Sequence, residues 1–268
     1  MKPFNQGDLT RTNCLKPNKN SGINFINAQN MAWLSLFSDK MAFIISSTWQ
    51  RTPIKAKRIT QHFSLTELKR QRNGWMLSLV SHIFDLLLLP ETLDLFGQLI
   101  KPNTRPLNHT ELQEVKRVFG DALPYNQIRI DEWSFIAYMG ALLSRSKQMG
   151  ICTFYTVNFT RKLNALPSSS DMGWLIHELV HVAQMHHVGS RYIWEAIYAQ
   201  QTPEGYDYGG PNNLAGKSLQ QFNREQQGDI IRHYYEYVVC AEKTPLFRTH
   251  FQPQYYQLHI DELQQGKL

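Results

Sequence analysis

Cysteine is scarce in this sequence. Three residues in 268, Cys14, Cys152 and Cys240, are odd in number and far apart. That excludes a disulfide framework, leaves no CxxC metal pair and suits folding in a reducing cytosol. Long apolar runs are missing as well. Residues 31–46 are interrupted by Asp39-Lys40, and residues 76–89 contain His82 and Asp85 and stop at Pro90. Both are too short or too polar to cross a bilayer, so no membrane span is expected. Residues 1–20 are polar and lack the apolar centre of a secretory signal. The expectation is a chain made in the cytoplasm that leaves the cell, if it leaves, by a route needing no cleaved signal. There is no internal repeat.

Acidic residues are few at one end only. Residues 1–72 hold twelve Lys/Arg against Asp8, Asp39 and Glu67, a local charge of +9, although the whole chain carries only +6. The remainder is therefore mildly acidic. A basic region can meet nucleic acid, anionic lipid, wall polymer or an acidic protein, or be simply a solvated face. Trp33, Trp49 and Phe63 within it read as core residues rather than a base-stacking platform, so no nucleic-acid role is expected. Hydrophobic content of 42% and charged content of 19% permit an ordinary buried core and exclude large-scale disorder.

Periodicity gives a helix-rich α+β chain. Residues 1–30 read as loose, and 31–46 as a short buried helix or strand. Ser64 and Glu67 form a capping box, residues 76–89 a strongly apolar helix, and 91–100 a short helix after a break at Pro90. Two prolines at 101–106 mark a boundary between a basic, mainly helical region, 1–105, and a second domain, 106–268. Thr110 and Gln113 form another capping box, before a face of Leu112, Val115, Val118 and Phe119 that stops at Gly120. Residues 128–130 and 151–159 read as strands. Ser168 to Asp171 open a helix running through His181 to Gly189, and residues 218–241 read as one long helix.

The helix ending at Gly189 carries His177-Glu178-Leu179-Val180-His181, an H-E-x-x-H pattern. Positions i and i+4 share a helix face, so the two imidazoles can point at one ion. Two nitrogen donors on a rigid helix suit Zn²⁺. Glu178 lies about 100° around the helix from His177. In hydrolases built this way that carboxylate faces the attacking water and takes its proton.

A third ligand has two main candidates. His187 completes the spacing H-E-x-x-H-x-x-x-x-x-H, the metzincin pattern. Metzincins, however, need Gly three residues after the second His, and Gln184 stands there in a continuing helix. Glu225 belongs to an E-x-x-x-D segment, with Asp229 one turn later able to hold a ligand imidazole by its other nitrogen. Gly228 inside that helix costs about 1 kcal/mol relative to Ala, which close approach to the first helix would compensate. Glu195, Glu204 and Asp207 are weaker options. Tyr206, Tyr208 and His233 are candidate donors to a developing oxyanion, and the sequence does not choose among them.

Residues 177–184, HELVHVAQ, resemble the HELTHVxQ helix of zincin domains associated with Vgr/Rhs and contractile-injection systems of bacteria. Val118-Phe119-Gly120-Asp121 and Ile128-Arg129-Ile130 upstream, with Tyr206-Asp207-Tyr208 and residues 222–227 downstream, extend the resemblance over about half the chain. Gly228 departs from the Ala common in those domains, and the first hundred residues share nothing with them. The resemblance implies a zincin-like metallopeptidase domain with a small sheet, bound zinc, and delivery as a type VI secretion effector or toxin. A Vgr/Rhs-type spike and a cognate immunity protein are the implied partners, and protein or the peptide part of peptidoglycan the implied substrate. Two other roles are open: a zincin-shaped adaptor without catalysis, and a peptidoglycan amidase or endopeptidase.

Overall fold

The computed structural model describes residues 80–81, 83–85, 87, 89–100, 104–240 and 254–268. The chain divides into two compact units, Met1–Thr48 and Trp49–Leu268, and every described residue belongs to the second. The readings for residues 1–30 and 31–46, the Ser64 capping box and residues 101–103 lie outside the described residues.

The described part is α+β and helix-rich. Helix α1, Leu89–Ile100, begins one residue before Pro90 rather than after it. A proline in the first turn lacks only an amide that has no intrahelical partner there. Helix α2, His109–Phe119, is closed by a capping box two residues earlier than the sequence suggests. Asn108 Oδ1 accepts from the Glu111 amide at 2.9 Å, and Glu111 accepts from the Asn108 amide at 2.8 Å. Glu111 is fixed for this by a two-pronged bond from Arg105, at 2.8 and 2.9 Å. Val115, Val118 and Phe119 form the inner face as expected, while Leu112, expected with them, is only half-buried.

Strands β1 (Arg129–Glu132), β2 (Gly150–Thr153) and β3 (Thr156–Phe159) form a sheet in the order β1-β3-β2. β1 runs parallel to β3, and β2 antiparallel to it. The single strand expected over 151–159 is thus a hairpin. Its two-residue turn, Phe154-Tyr155, carries no Gly or Asn to announce it. Phe154 takes the left-handed conformation at φ 60°, and its amide points at Met185 Sδ, 3.1 Å away. Between β1 and β2 lies helix α3, Phe135–Ser144, which packs on β2 and β3.

Helix α4, Ser170–Val188, is the centre of the unit. The Ser169 hydroxyl caps it, accepting from the Met172 amide at 3.1 Å, and Gly189 ends it. Helix α5, Arg191–Gln201, follows. The long helix expected over 218–241 is instead three pieces. A turn at Leu219–Gln221 ends at Phe222, helix α6 spans Arg224–Tyr234, and the chain widens into a π-turn at Tyr235–Val239. Asn223 supplies the new cap, accepting from the Gln226 amide at 2.8 Å. Helix α7, Gln254–Gln264, closes the described chain. Among the described residues no helix is long and apolar enough to cross a membrane.

The core gathers on α4. Met172, Leu175, Ile176, Leu179, Val180, Val182 and Ala183 are fully buried beneath the sheet, α5 and α6. Each large aliphatic side chain so buried contributes about 1.5–3 kcal/mol of hydrophobic stabilisation. The same helix also buries His177, Glu178, His181 and Gln184. Polar groups in such a place are costly unless they find partners.

Candidate metal centre

Helix α6 crosses α4 closely because Gly228 has no side chain. A Cβ there would lie 2.6 Å from Cε1 and 2.8 Å from Nδ1 of His177. The intimacy expected of this glycine is therefore present. It brings Glu225 and Asp229 onto the histidines. His177 Nε2 and His181 Nε2 stand 3.4 and 3.3 Å from Glu225 Oε2. The ligand atoms of these three buried residues all lie within 4.8 Å of one another.

The outer nitrogens of the two rings are also engaged. His177 Nδ1 faces Asp229 Oδ1 at 2.9 Å, and His181 Nδ1 faces Gln184 Oε1 at 2.8 Å. A carboxylate or amide oxygen there accepts an N–H, which leaves each Nε2 as a lone-pair donor aimed at the common centre. Gln184 is itself anchored, donating to the Arg224 carbonyl at 3.0 Å and to Gln227 Oε1 at 2.7 Å. Gln227 in turn donates to the Leu219 and Phe222 carbonyls. Arg232 lies 3.2 Å from Asp229, and Gln200 donates to the second oxygen of Glu225 at 2.8 Å. The turn preceding α6 is thus tied, amide by amide, to His181.

Two neutral imidazole nitrogens and one carboxylate oxygen match the donor set of a three-ligand zinc site with a free position. The electrostatics agree with a pocket shaped for a cation. Burial favours neutral His177, but Asp229 and Glu225 outweigh it and raise its pKa to about 10. His181 is raised too, with burial again overcome by the Glu225 carboxylate. Burial alone would raise Glu225, yet the two histidines hold it well below the usual carboxylate range.

Glu178 sits beside the three donors and differs from Glu225. Burial pushes its carboxyl above the ordinary range. Trp174, one turn earlier on α4, donates its indole N–H to Glu178 Oε1 at 3.1 Å. Strand β2 passes directly over this carboxylate at Gly150, where a Cβ would lie only 2.2 Å from Oε1. A carboxyl raised by burial, between an indole donor and a sheet edge, is better suited to exchanging a proton than an ordinary exposed glutamate.

The remaining sequence candidates separate. Tyr206 lies beside the centre: its ring is 5.9 Å from that of His177, and burial, together with the nearby Glu225 carboxylate, pushes its hydroxyl pKa up. Tyr208 and His233 do not. The buried Tyr208 hydroxyl is shared by His233 Nδ1 at 2.8 Å and Tyr256 at 3.1 Å, against α7. His187 lies beyond the triad on α4, with Nε2 3.3 Å from the Ala122 carbonyl and its ring against Gly266. Glu195 is paired with Arg191 and Arg224, Asp207 Oδ1 accepts from the Gly209 amide, and Glu204 is exposed. Gln184, Gln200, Gln227, Trp174 and Gly150 were not singled out as supporting residues from the sequence. Helical spacing was signal enough for two of them: Trp174 is four residues before Glu178, and Gln184 three after His181.

The chain is similar to the type VI secretion system spike protein VgrG2b of Pseudomonas aeruginosa, at 30% identity over 140 residues. The match covers 49% of this chain but only 13% of that protein, so the chain spans a small part of its relative's length. No family model matches, and no solved structure does.

Proposed function

We propose that this chain is a zincin-like, zinc-dependent hydrolase of amide bonds that acts as an effector of a type VI secretion system. One observation carries the chemistry: His177, His181 and Glu225 converge within 4.8 Å, each imidazole backed by its own acceptor, beside an unligated Glu178. The similarity to a type VI spike protein supports the context.

Zn²⁺, when bound to His177, His181 and Glu225, supplies a Lewis acid that polarises the scissile carbonyl and acidifies water. The protein's own groups do the rest. Glu178 takes the proton of the attacking water and returns it to the leaving amine, a task that its raised pKa suits. Trp174 holds that carboxylate in place. Of the candidate donors, Tyr206 is the one beside His177, its ring 5.9 Å away, and it donates to the carbonyl oxygen as negative charge grows there. The substrate is a protein or the peptide part of peptidoglycan, and a cognate immunity protein would guard the producing cell.

The test pairs wild type with Glu178→Ala on a protein digest and on isolated sacculi, read by mass spectrometry. New amide-bond cleavage products from wild type only, with equal zinc in both proteins, are expected. Equal cleavage by Glu178→Ala removes the assigned base. The relation to a spike protein also favours a second reading, a zincin-shaped adaptor. That reading holds if wild type binds zinc and a spike protein yet leaves both substrates intact.

A further inference from the structure

Helix α3 is built inside out. Its inward residues are small: Ala137 and Ala141 are buried, and Gly140 sits so close to β2 that a Cβ would lie 2.3 Å from Ile151 Cδ1. Its outward residues are large and apolar. Phe135, Leu142 and Leu143 are 68%, 71% and 81% exposed, and Ile136, Tyr138 and Met139 join them. At about 100° per residue they cover about 160° of the helix circumference. A helix on a water-facing surface carries polar groups on that side. Trp133, 62% exposed, precedes the helix by two residues at φ 60°. Apolar surface this continuous marks a contact site.

The charges around it select the partner. Residues 133–170 contain Arg145, Lys147, Arg161 and Lys162 and not one Asp or Glu. Arg145 and Lys147 are exposed immediately after α3. An apolar helix face carrying aromatic rings, with the exposed cations Arg145 and Lys147 at its C-terminal end, complements an anionic lipid surface. The aliphatic side chains enter the acyl boundary, the rings settle at headgroup level, and the cations meet lipid phosphates.

We propose that α3 seats this protein on the surface of an anionic bilayer, without crossing it. The seat does not depend on the hydrolase reading. If both hold, α3, packed on the strand that passes over Glu178, brings the candidate metal centre close to the lipid surface. Substrates anchored at a membrane would then be favoured.

Flotation of the full chain tests this with three kinds of vesicle: phosphatidylglycerol with phosphatidylethanolamine, phosphatidylethanolamine with phosphatidylcholine, and phosphatidylcholine alone. Wild type should float with the first and not with the others. The double variant Leu142→Glu/Leu143→Glu should lose at least about tenfold in partitioning. Arg145→Glu/Lys147→Glu should lose about tenfold, and high salt should mimic it. All these side chains are exposed, so thermal melting and zinc content should match wild type. No flotation of wild type, equal flotation with neutral vesicles, or undiminished binding by the leucine variant would each overturn the proposal. So would a wild-type dimer that the leucine variant dissolves, because α3 would then be an interface between copies.

Discussion

At the scale of single residues, the site divides labour between two glutamates of opposite environment. Glu225 is surrounded by imidazoles and held ionised, whereas Glu178 is buried beside an indole and pushed toward its protonated form. The first suits a ligand and the second a proton carrier. Gln184 has a separate task, since only its side-chain oxygen meets His181 Nδ1. Replacing it with Leu should weaken zinc binding by about 10- to 100-fold while leaving the fold intact. Competition with a chelator of known affinity measures this. Unchanged affinity in Gln184→Leu would show that the amide does not orient His181. Gly150→Val places a branched side chain where 2.2 Å separates a Cβ from Glu178 Oε1. Hydrolysis should fall at least tenfold with zinc retained, because the carboxylate must move.

At the scale of elements, what could be read from the sequence follows how local its cause is. Helix α4, its cap in the serine run, its Gly189 stop and the pairing of His177 with His181 depend on nearby residues, and all are present. The approach of α6 was legible through Gly228, an otherwise unfavourable residue that makes sense only against another helix. The hairpin at Phe154 was not legible, because a phenylalanine in a left-handed turn is held by tertiary contacts such as the Met185 sulfur. Helix α3 escaped notice for a related reason: its large residues face out, so its apolar pattern is not that of a core-facing helix. The sequence reads 218–241 as one helix and does not announce Asn223 as a cap. That cap sets where α6 begins and hence where Glu225 stands in its first turn. Asn223→Ala should lower stability by about 1 kcal/mol in urea denaturation and also weaken zinc binding, whereas Asn223→Ser should do neither. An equal effect from both substitutions would argue against the cap.

At the scale of the whole molecule, the start of α4 is tied to the chain leaving the sheet. Arg161 reaches Asp171, with one of its bonds at 2.8 Å, and the Asn164 amide donates to the same carboxylate at 2.7 Å. The Arg161 guanidinium therefore holds the Asp171 carboxyl below the usual aspartate range, assisted by that amide and opposed by burial. A carboxyl lowered in the folded state adds stability above the unfolded pKa, about 3.9, and loses it as pH falls through the folded value. The stability gap between wild type and Asp171→Asn should be full at neutral pH and close in acid below about pH 4. Denaturation midpoints across that range would show it, and a gap independent of pH would mean that the pair contributes no charge-linked stability.

All of this converges on one centre held by three residues from two helices. Metal content of the purified protein, by mass spectrometry under native conditions, is the decisive measurement. One zinc per chain is predicted for wild type, Glu178→Ala and His187→Ala, and none for Glu225→Ala. Zinc retained at full occupancy in Glu225→Ala, or lost in His187→Ala, would contradict the site drawn from His177, His181 and Glu225.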